Sequence, residues 1–352
     1  MLEEKNPQRT PIATLGEFGL IKHLTEKFSF NKENTMLAIG DDAAVIHPQG
    51  RKVVISTDIL AEGIHFNLGY VPLKHLGYKA VVVNLSDIAA MNATPTQILV
   101  SVAVSNRFPV EALEEIYEGV ALACQRYNVD LVGGDTTSSN AGLILSITAI
   151  GMETEDKIVK RSTAQPNDLL VVSGDLGGAY LGLQILEREH AVFLANPDMQ
   201  PEMDGYDYLL ERQLKPEART DVRSILAELD IQPTSMIDIS DGLASEILHL
   251  SDQSGVGFRL YEEKIPLDTL TITTADEFNL NPAVCALNGG EDYELLFTIA
   301  SGDYDKIKNH PDFTIIGHAT EQEDGNYMVL RGSNELSRIT AQGWDALLNP
   351  DD

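Results

Sequence analysis

A mixed α/β architecture in two domains is what the sequence predicts, on three observations. The chain has 352 residues, longer than one hydrophobic core usually grows. Its first half alternates short apolar runs with longer stretches of helical periodicity. The apolar runs also end repeatedly in a small residue followed by an acid: Gly40-Asp41, Thr57-Asp58, Gly134-Asp135, Gly174-Asp175, Ser240-Asp241 and Gly290-Glu291-Asp292. In an open α/β sheet ligands lie beyond the carboxyl ends of strands, so this recurrence places carboxylates along one rim.

Taken in order, Leu15, Phe18, Ile21 and Leu24 have the spacing of a helix face. Residues 43–46 and 53–55 read as a hairpin around Pro48-Gln49-Gly50, and the apolar run Val53-Val54-Ile55 then delivers Ser56-Thr57-Asp58 at a strand end. Residues 75–91 predict a helix carrying Asn84, Ser86 and Asp87, where an aspartate on an apolar helix needs a partner. Strands follow at 97–104, 129–132 and 143–152, with a helix at 109–127. The charged segment 154–167, ending at Pro166-Asn167, divides a domain at 1–153 from one at 154–352. In the second half, strands are predicted at 169–172, 258–260, 295–299 and 314–316, and helices at 179–187, 221–229 and 243–250. Residues 190–207 read as an irregular or loosely helical insertion.

The formal charge is 25 − 54 = −29, which argues against a nucleic-acid or anionic-membrane binder. Cys124 and Cys285, in apolar settings, fit reduced core thiols of a cytoplasmic protein. The N-terminus is polar, without the apolar core of a signal peptide, and no apolar run reaches membrane-spanning length.

Neither a Walker pattern nor a dinucleotide fingerprint is present, and no His or Cys spacing suits zinc. What stands out is a set of oxygen donors: Asp42, Ser56, Thr57, Asp58, Asp87, Asp135, Asp238 and Asp241. Such donors suit magnesium or calcium, and their separation along the chain excludes an EF-hand; each taken alone also serves as a turn or cap residue. A nucleotide polyphosphate near so many carboxylates needs divalent cations, since two like unit charges 4 Å apart repel by about 4 kcal/mol at an effective dielectric of 20. Basic residues beside the motifs are few, chiefly Lys79, Lys160 and Arg161, and Arg161 is the preferred direct phosphate contact.

These motifs, in this order, resemble the thiamine-monophosphate kinase family. The resemblance is carried by Ile39-Gly40-Asp41-Asp42, Ser56-Thr57-Asp58, Gly63-Ile64-His65-Phe66, Asn84-Leu85-Ser86-Asp87, Gly133-Gly134-Asp135-Thr136, Asp238-Ile239-Ser240-Asp241-Gly242 and Gly289-Gly290-Glu291-Asp292. It implies an N-terminal ATP- and magnesium-binding domain whose strands join a barrel shared across a homodimer, and a C-terminal α/β domain with a mixed sheet and flanking helices. It also implies transfer of the ATP γ-phosphoryl group to thiamine monophosphate, giving thiamine diphosphate and ADP within thiamine biosynthesis. By the same resemblance several Mg²⁺ ions would be held by the eight oxygen donors, with Asp58, Asp87 and Asp241 central to catalysis. Tyr117, Gly134, Asp135, Arg161 and Ser240 would contact ATP, and His65, Glu291 and Trp344 the thiamine phosphate. Trp344, the single tryptophan, offers a flat face for stacking on a thiamine ring.

Overall fold

The structure, a computed structural model, describes residues 10–11, 14–39, 44–333 and 335–341; Asp42 and Trp344 lie outside the described residues. The backbone packs as two compact units, one of Met1–Gln49, Ile55–Asn84 and Pro95–Ile150, the other of Gly50–Val54, Leu85–Thr94 and Gly151–Asp352.

The first stretch of chain gives α1 (Gly16–Thr25), β1 (Thr35–Leu37), β2 (Val45–Ile46), β3 (Lys52–Ala61), α2 (Leu73–Ala90), β4 (Thr94–Val104), α3 (Val110–Tyr127), β5 (Asp130–Ser138) and β6 (Ile144–Glu153). A four-stranded sheet runs β3-β6-β4-β5, with β4 and β5 parallel from Gln97↔Asp130 to Val104↔Ser138. Along β6, Leu145, Ile147 and Ala149 are buried at alternate positions, the period-2 signature of a strand with one face in the core.

The predicted hairpin is corrected. Strand β2 pairs with β1, Thr35↔Ile46, instead of with residues 53–55. Strand β3 also runs on through Ala61, so Ser56-Thr57-Asp58 sits inside it and not at its end. On an edge strand one row of side chains meets solvent, so hydroxyl and carboxylate residues need not interrupt the ladder. This strand exposes apolar side chains, with Ile55 64 % and Ile59 57 % accessible, and so does β1 in its two-stranded sheet with β2, where Met36 is 65 % accessible.

Helices α2 and α3 approach closely because neither has a side chain at the crossing. A Cβ on Gly77 would lie 1.9 Å from the Ile116 carbonyl oxygen, and one on Gly119 1.9 Å from that of Lys74. Both obstacles are backbone and cannot rotate away. Gly119→Ala is expected to destabilise the protein by at least about 1–3 kcal/mol, the usual cost of overpacking, read as a lower thermal midpoint. An unchanged midpoint would show that the two helices can separate at little cost.

The remaining elements are β7 (Leu169–Ser173), α4 (Gly178–Ala195), α5 (Asp207–Leu214), α6 (Val222–Glu228), β8 (Ser235–Asp238), α7 (Leu243–Ser254), β9 (Gly257–Tyr261), α8 (Thr269–Glu277), α9 (Pro282–Asn288), β10 (Leu295–Ile299), α10 (Tyr304–Ile307), β11 (Phe313–Thr320), β12 (Asn326–Val329) and β13 (Leu336–Arg338). Seven strands form a mixed sheet in the order β13-β12-β9-β11-β7-β10-β8. Its neighbours are antiparallel except β12 and β9, which are parallel.

Both faces of the central strands are buried. Leu170, Val172 and Leu296 join one core cluster, with Leu243 and Ile247 of α7; Val171, Leu295 and Phe297 join another, with Val222 and Leu226 of α6. This is why these strands read as continuous apolar runs in the sequence. Residues 196–206 are irregular, as expected, but α4 runs on to Ala195 and α5 begins at Asp207. Leu181 and Ile185 of α4 pack with Leu209 of α5, which gives the longer helix a face to bury. Helix α9 carried a start signal, Asn281 as cap with Pro282 in the first turn.

Candidate active site

In the first unit Ser56, Thr57 and Asp58 lie on β3 and His65 in the turn after it. The Asp58 backbone N–H donates to Asn84 Oδ1 at 2.9 Å, and Asn84 Nδ2 donates to the Ala80 carbonyl at 3.0 Å. Asn84 is 1 % exposed, so a buried amide on α2 fixes the position of the strand at Asp58. Thr57 Oγ1 donates to the Ile147 carbonyl at 2.9 Å, and Ser146 Oγ donates to the Asp58 carbonyl at 3.1 Å. These bonds occupy backbone groups of β3 and its neighbour β6.

His65 is held by a tight turn. Its own N–H donates to the Ala61 carbonyl at 2.9 Å, while its Nδ1 accepts from the Ala61 N–H at 3.1 Å. In the neutral ring the proton therefore sits on Nε2, which makes that atom the donor. Gly134 and Asp135 are exposed on β5, and the Asp135 carboxylate accepts from the Thr136 N–H at 2.9 Å. Tyr117 is placed in the core, edge-on to Phe28, with burial pushing its hydroxyl up to about 12.

In the second unit the carboxylates are more crowded. Asp238 at the end of β8 is 3 % exposed and accepts from Ser86 Oγ at 2.7 Å. Burial, and then the charge of Asp87, hold its carboxyl well above the usual range, while the Ser86 bond and the charge of Arg161 pull it down. Asp87 lies in the last turn of α2 and is half-buried. Beyond β8, Glu246 of α7 accepts from the Ser240 and Asp241 N–H groups at 3.1 and 2.9 Å, and its Oε2 is buried without a hydrogen-bond partner. Burial, and then Asp241, push the Glu246 carboxyl up to about 7.

The loop of Ser240 to Gly242 is knitted to the segment carrying Glu291. The Glu291 N–H donates to the Ser240 carbonyl at 2.7 Å, and the Tyr293 N–H to that of Ile239 at 2.9 Å. Gly290, Glu291 and Tyr293 have φ of 72°, 59° and 53°. A left-handed conformation at a non-glycine residue costs of order 1–3 kcal/mol, so two within three residues persist only under strong surrounding constraint.

That constraint is a buried ionic network. Glu294 accepts from Arg212 Nη1 at 2.9 Å, Arg219 Nη1 at 2.7 Å and Ser173 Oγ at 2.5 Å. Asp292 accepts from the Gly177 N–H at 2.9 Å, and its other oxygen lies 3.5 Å from Arg212 Nη2, close enough for an ion pair but long for a hydrogen bond. Burial pushes the Asp292 carboxyl up to about 6, against the pull of Arg212. A carboxyl whose folded pKa is raised binds more protons folded than unfolded between about pH 4 and 6, so it lowers stability as pH rises through that window. Chemical denaturation of Asp292→Asn is expected to lose this part of the pH slope, worth at most about 3 kcal/mol. A variant with the wild-type slope from pH 4 to 7 would assign it to another group.

Among the described residues, no group of three or more His, Cys, Asp or Glu side chains is arranged to hold a metal ion. The predicted oxygen donors fall into two sets, Ser56, Thr57, Asp58 and Asp135 in the first unit and Asp87, Asp238 and Asp241 in the second. Their chemistry suits a hard cation. A carboxylate held up by burial beside Asp87, and a buried Glu246 oxygen with no donor, are what a nearby cation would relieve. Asn84 and Ser86 stood within a motif singled out in the sequence but carried no expected role; Arg212, Gln213 and Glu246 gave no local signal.

Comparison with known proteins decides the family. Residues 40–152 match the model for the AIR synthase related protein, N-terminal domain. Thiamine-monophosphate kinase of Aquifex aeolicus (strain VF5) is 35% identical over 333 residues, 94% of this chain and 97% of that one. The enzyme of the same name from Bacillus subtilis (strain 168) is 32% identical over 314 residues, 88% and 92% of the two chains.

The chain belongs to the thiamine-monophosphate kinase family.

A solved structure of a family member, AaThiL complexed with AMPPCP and TMP, superposes with a TM-score of 0.71 at 31% identity, covering 94% of this chain and 97% of that one. As a member of this kinase family the protein is a phosphotransferase with a phosphate group as acceptor.

Proposed function

We propose that the protein transfers the γ-phosphoryl group of ATP to thiamine monophosphate, forming thiamine diphosphate and ADP by direct in-line displacement. The observation that carries this reading is the match, over 94% of this chain, to a family member complexed with AMPPCP and TMP, an ATP analogue and an acceptor together. The acceptor needs little activation. A phosphate monoester has its second pKa near 6, so the attacking oxygen is already largely ionised at neutral pH. What the protein must supply is alignment of two anions and an environment for the charge on the group in flight.

Ser56, Thr57, Asp58 and Asp135, with Asp87, Asp238 and Asp241, are the residues that would hold Mg²⁺, together with Asp42 outside the described residues. When bound, magnesium supplies neutralisation of the phosphate charges and a template for the two reacting oxygens. Asn84 accepts from the Asp58 backbone N–H, and Ser86 donates to the Asp238 carboxylate. Gly134, Ser240, Arg161 and Tyr117 are assigned to ATP. His65, with its proton on Nε2, donates to the acceptor phosphate, and Glu291 faces the thiamine moiety with Trp344.

The reading includes cytoplasmic location, and a homodimer formed through the apolar residues exposed on β1 and β3, with 1–153 as the ATP- and magnesium-binding and dimerising domain and 154–352 completing the site. Incubation with MgATP and thiamine monophosphate should yield ADP and thiamine diphosphate in equal amounts, with inversion at a chiral γ-phosphorus. Retention would establish a phosphoenzyme, and the absence of diphosphate would remove the acceptor assignment.

A further inference from the structure

We propose that Gln213 is a positioning residue for the acceptor, acting by orienting the carboxylate of Glu291. The proposal rests on the assignment of Glu291 to thiamine monophosphate made above. Gln213 is only 6 % exposed, in the last turn of α5, and its Nε2 donates to Glu291 Oε2 at 2.8 Å. Glu291 itself is partly exposed. Burying an amide is unfavourable unless it is bonded, and the bond to Glu291 satisfies its Nε2.

The residue before it holds the backbone of the same segment. Arg212 donates to Glu294 at 2.9 Å and to the Asp175 carbonyl at 2.9 Å, and reaches the Asp292 carbonyl at 3.4 Å. The Glu291 N–H is fixed in turn by the Ser240 carbonyl at 2.7 Å. One turn of α5 thus anchors the left-handed backbone through Arg212 and one carboxylate oxygen of Glu291 through Gln213. A glutamate has three side-chain torsions to order on binding a ligand, and ordering them beforehand raises affinity without a new contact. A carboxylate repels a phosphate, so the part of the acceptor it suits is the cationic thiazolium or the amino group of the pyrimidine.

Steady-state kinetics of three variants tests this. Gln213→Leu, which keeps most of the volume and removes the donor, is expected to raise KM for thiamine monophosphate roughly tenfold, the size of one hydrogen bond to a charged group. The kcat and the KM for ATP should stay within about twofold, a split that general loss of structure does not produce. Gln213→Glu keeps the shape but sets a second carboxylate against Glu291, and should raise the same KM further; it decides the matter alone if the leucine variant does not fold. Glu291→Gln is measured beside them. Unchanged acceptor KM in folded Gln213 variants, with a raised KM in Glu291→Gln, overturns the positioning role and leaves the acceptor assignment standing. Unchanged KM in Glu291→Gln removes the acceptor assignment, and the proposal with it.

Discussion

Asp58→Asn is expected to lower kcat by about 10²–10³-fold, the loss seen when one preorganised electrostatic group is removed from a reaction that runs on charge neutralisation. The substitution keeps the side chain's size and leaves the backbone bond to Asn84 in place, so the fold should be preserved. What it removes is one negative charge and one strong oxygen donor, and the MgATP requirement should rise in parallel with the loss of turnover. His65→Asn makes the contrast. Because the acceptor is already ionised, a donor at this position assists binding and is not needed to remove a proton, so measurable turnover should remain with a raised KM for thiamine monophosphate. Coupled ADP-release assays on both variants decide between the roles, and the reverse order of severity would exchange them.

The second large effect is on stability. Glu294→Leu is expected to destabilise the protein by roughly 3 kcal/mol, because it takes from two half-buried guanidinium groups the buried carboxylate they share. Arg212, Arg219 and Ser173 all meet on Glu294, and the surrounding strand and helix positions are buried. At about 2–4 °C per kcal/mol for a unit of this size, the thermal midpoint should fall by about 10 °C. Glu294→Gln, which still accepts hydrogen bonds, should lose less. A midpoint unchanged in Glu294→Leu would mean that the ionic network is replaceable by apolar packing, as some buried ion pairs are.

Both predictions turn on residues that the sequence made visible to different degrees. The strand–acid motifs were legible because their chemistry is local: Ser56-Thr57-Asp58, Gly134-Asp135 and Ser240-Asp241 each pair a small residue with an acid, and together they pointed to phosphate chemistry on divalent cations and to the kinase family. Long, strongly periodic helices such as α2 and α3 were also legible, since 3.6-residue periodicity or continuous apolarity marks them within a single window. Strands β7 and β10 were legible as uninterrupted apolar runs buried on both faces, whereas β8, β12 and β13 were not predicted.

Other features depend on partners distant in the chain and left no local trace. Whether β2 pairs with β1 or with β3 is a choice between ladders of similar composition, and on folding β2 joins β1 in a two-stranded sheet while β3 joins β6 in another. The extension of α4 and the existence of α5 follow from Leu181, Ile185 and Leu209 burying one another, an energy that appears only when the two helices meet. Gln213 and Glu291 are separated by 78 positions, and Arg212 and Glu294 by 82, so no window of sequence contains either pair. The sequence by itself determined the kind of chemistry, because donor type and charge are properties of single residues. Only the tertiary structure decided which side chains hold those donors in place, because orientation is a property of contacts between segments that the chain brings together on folding.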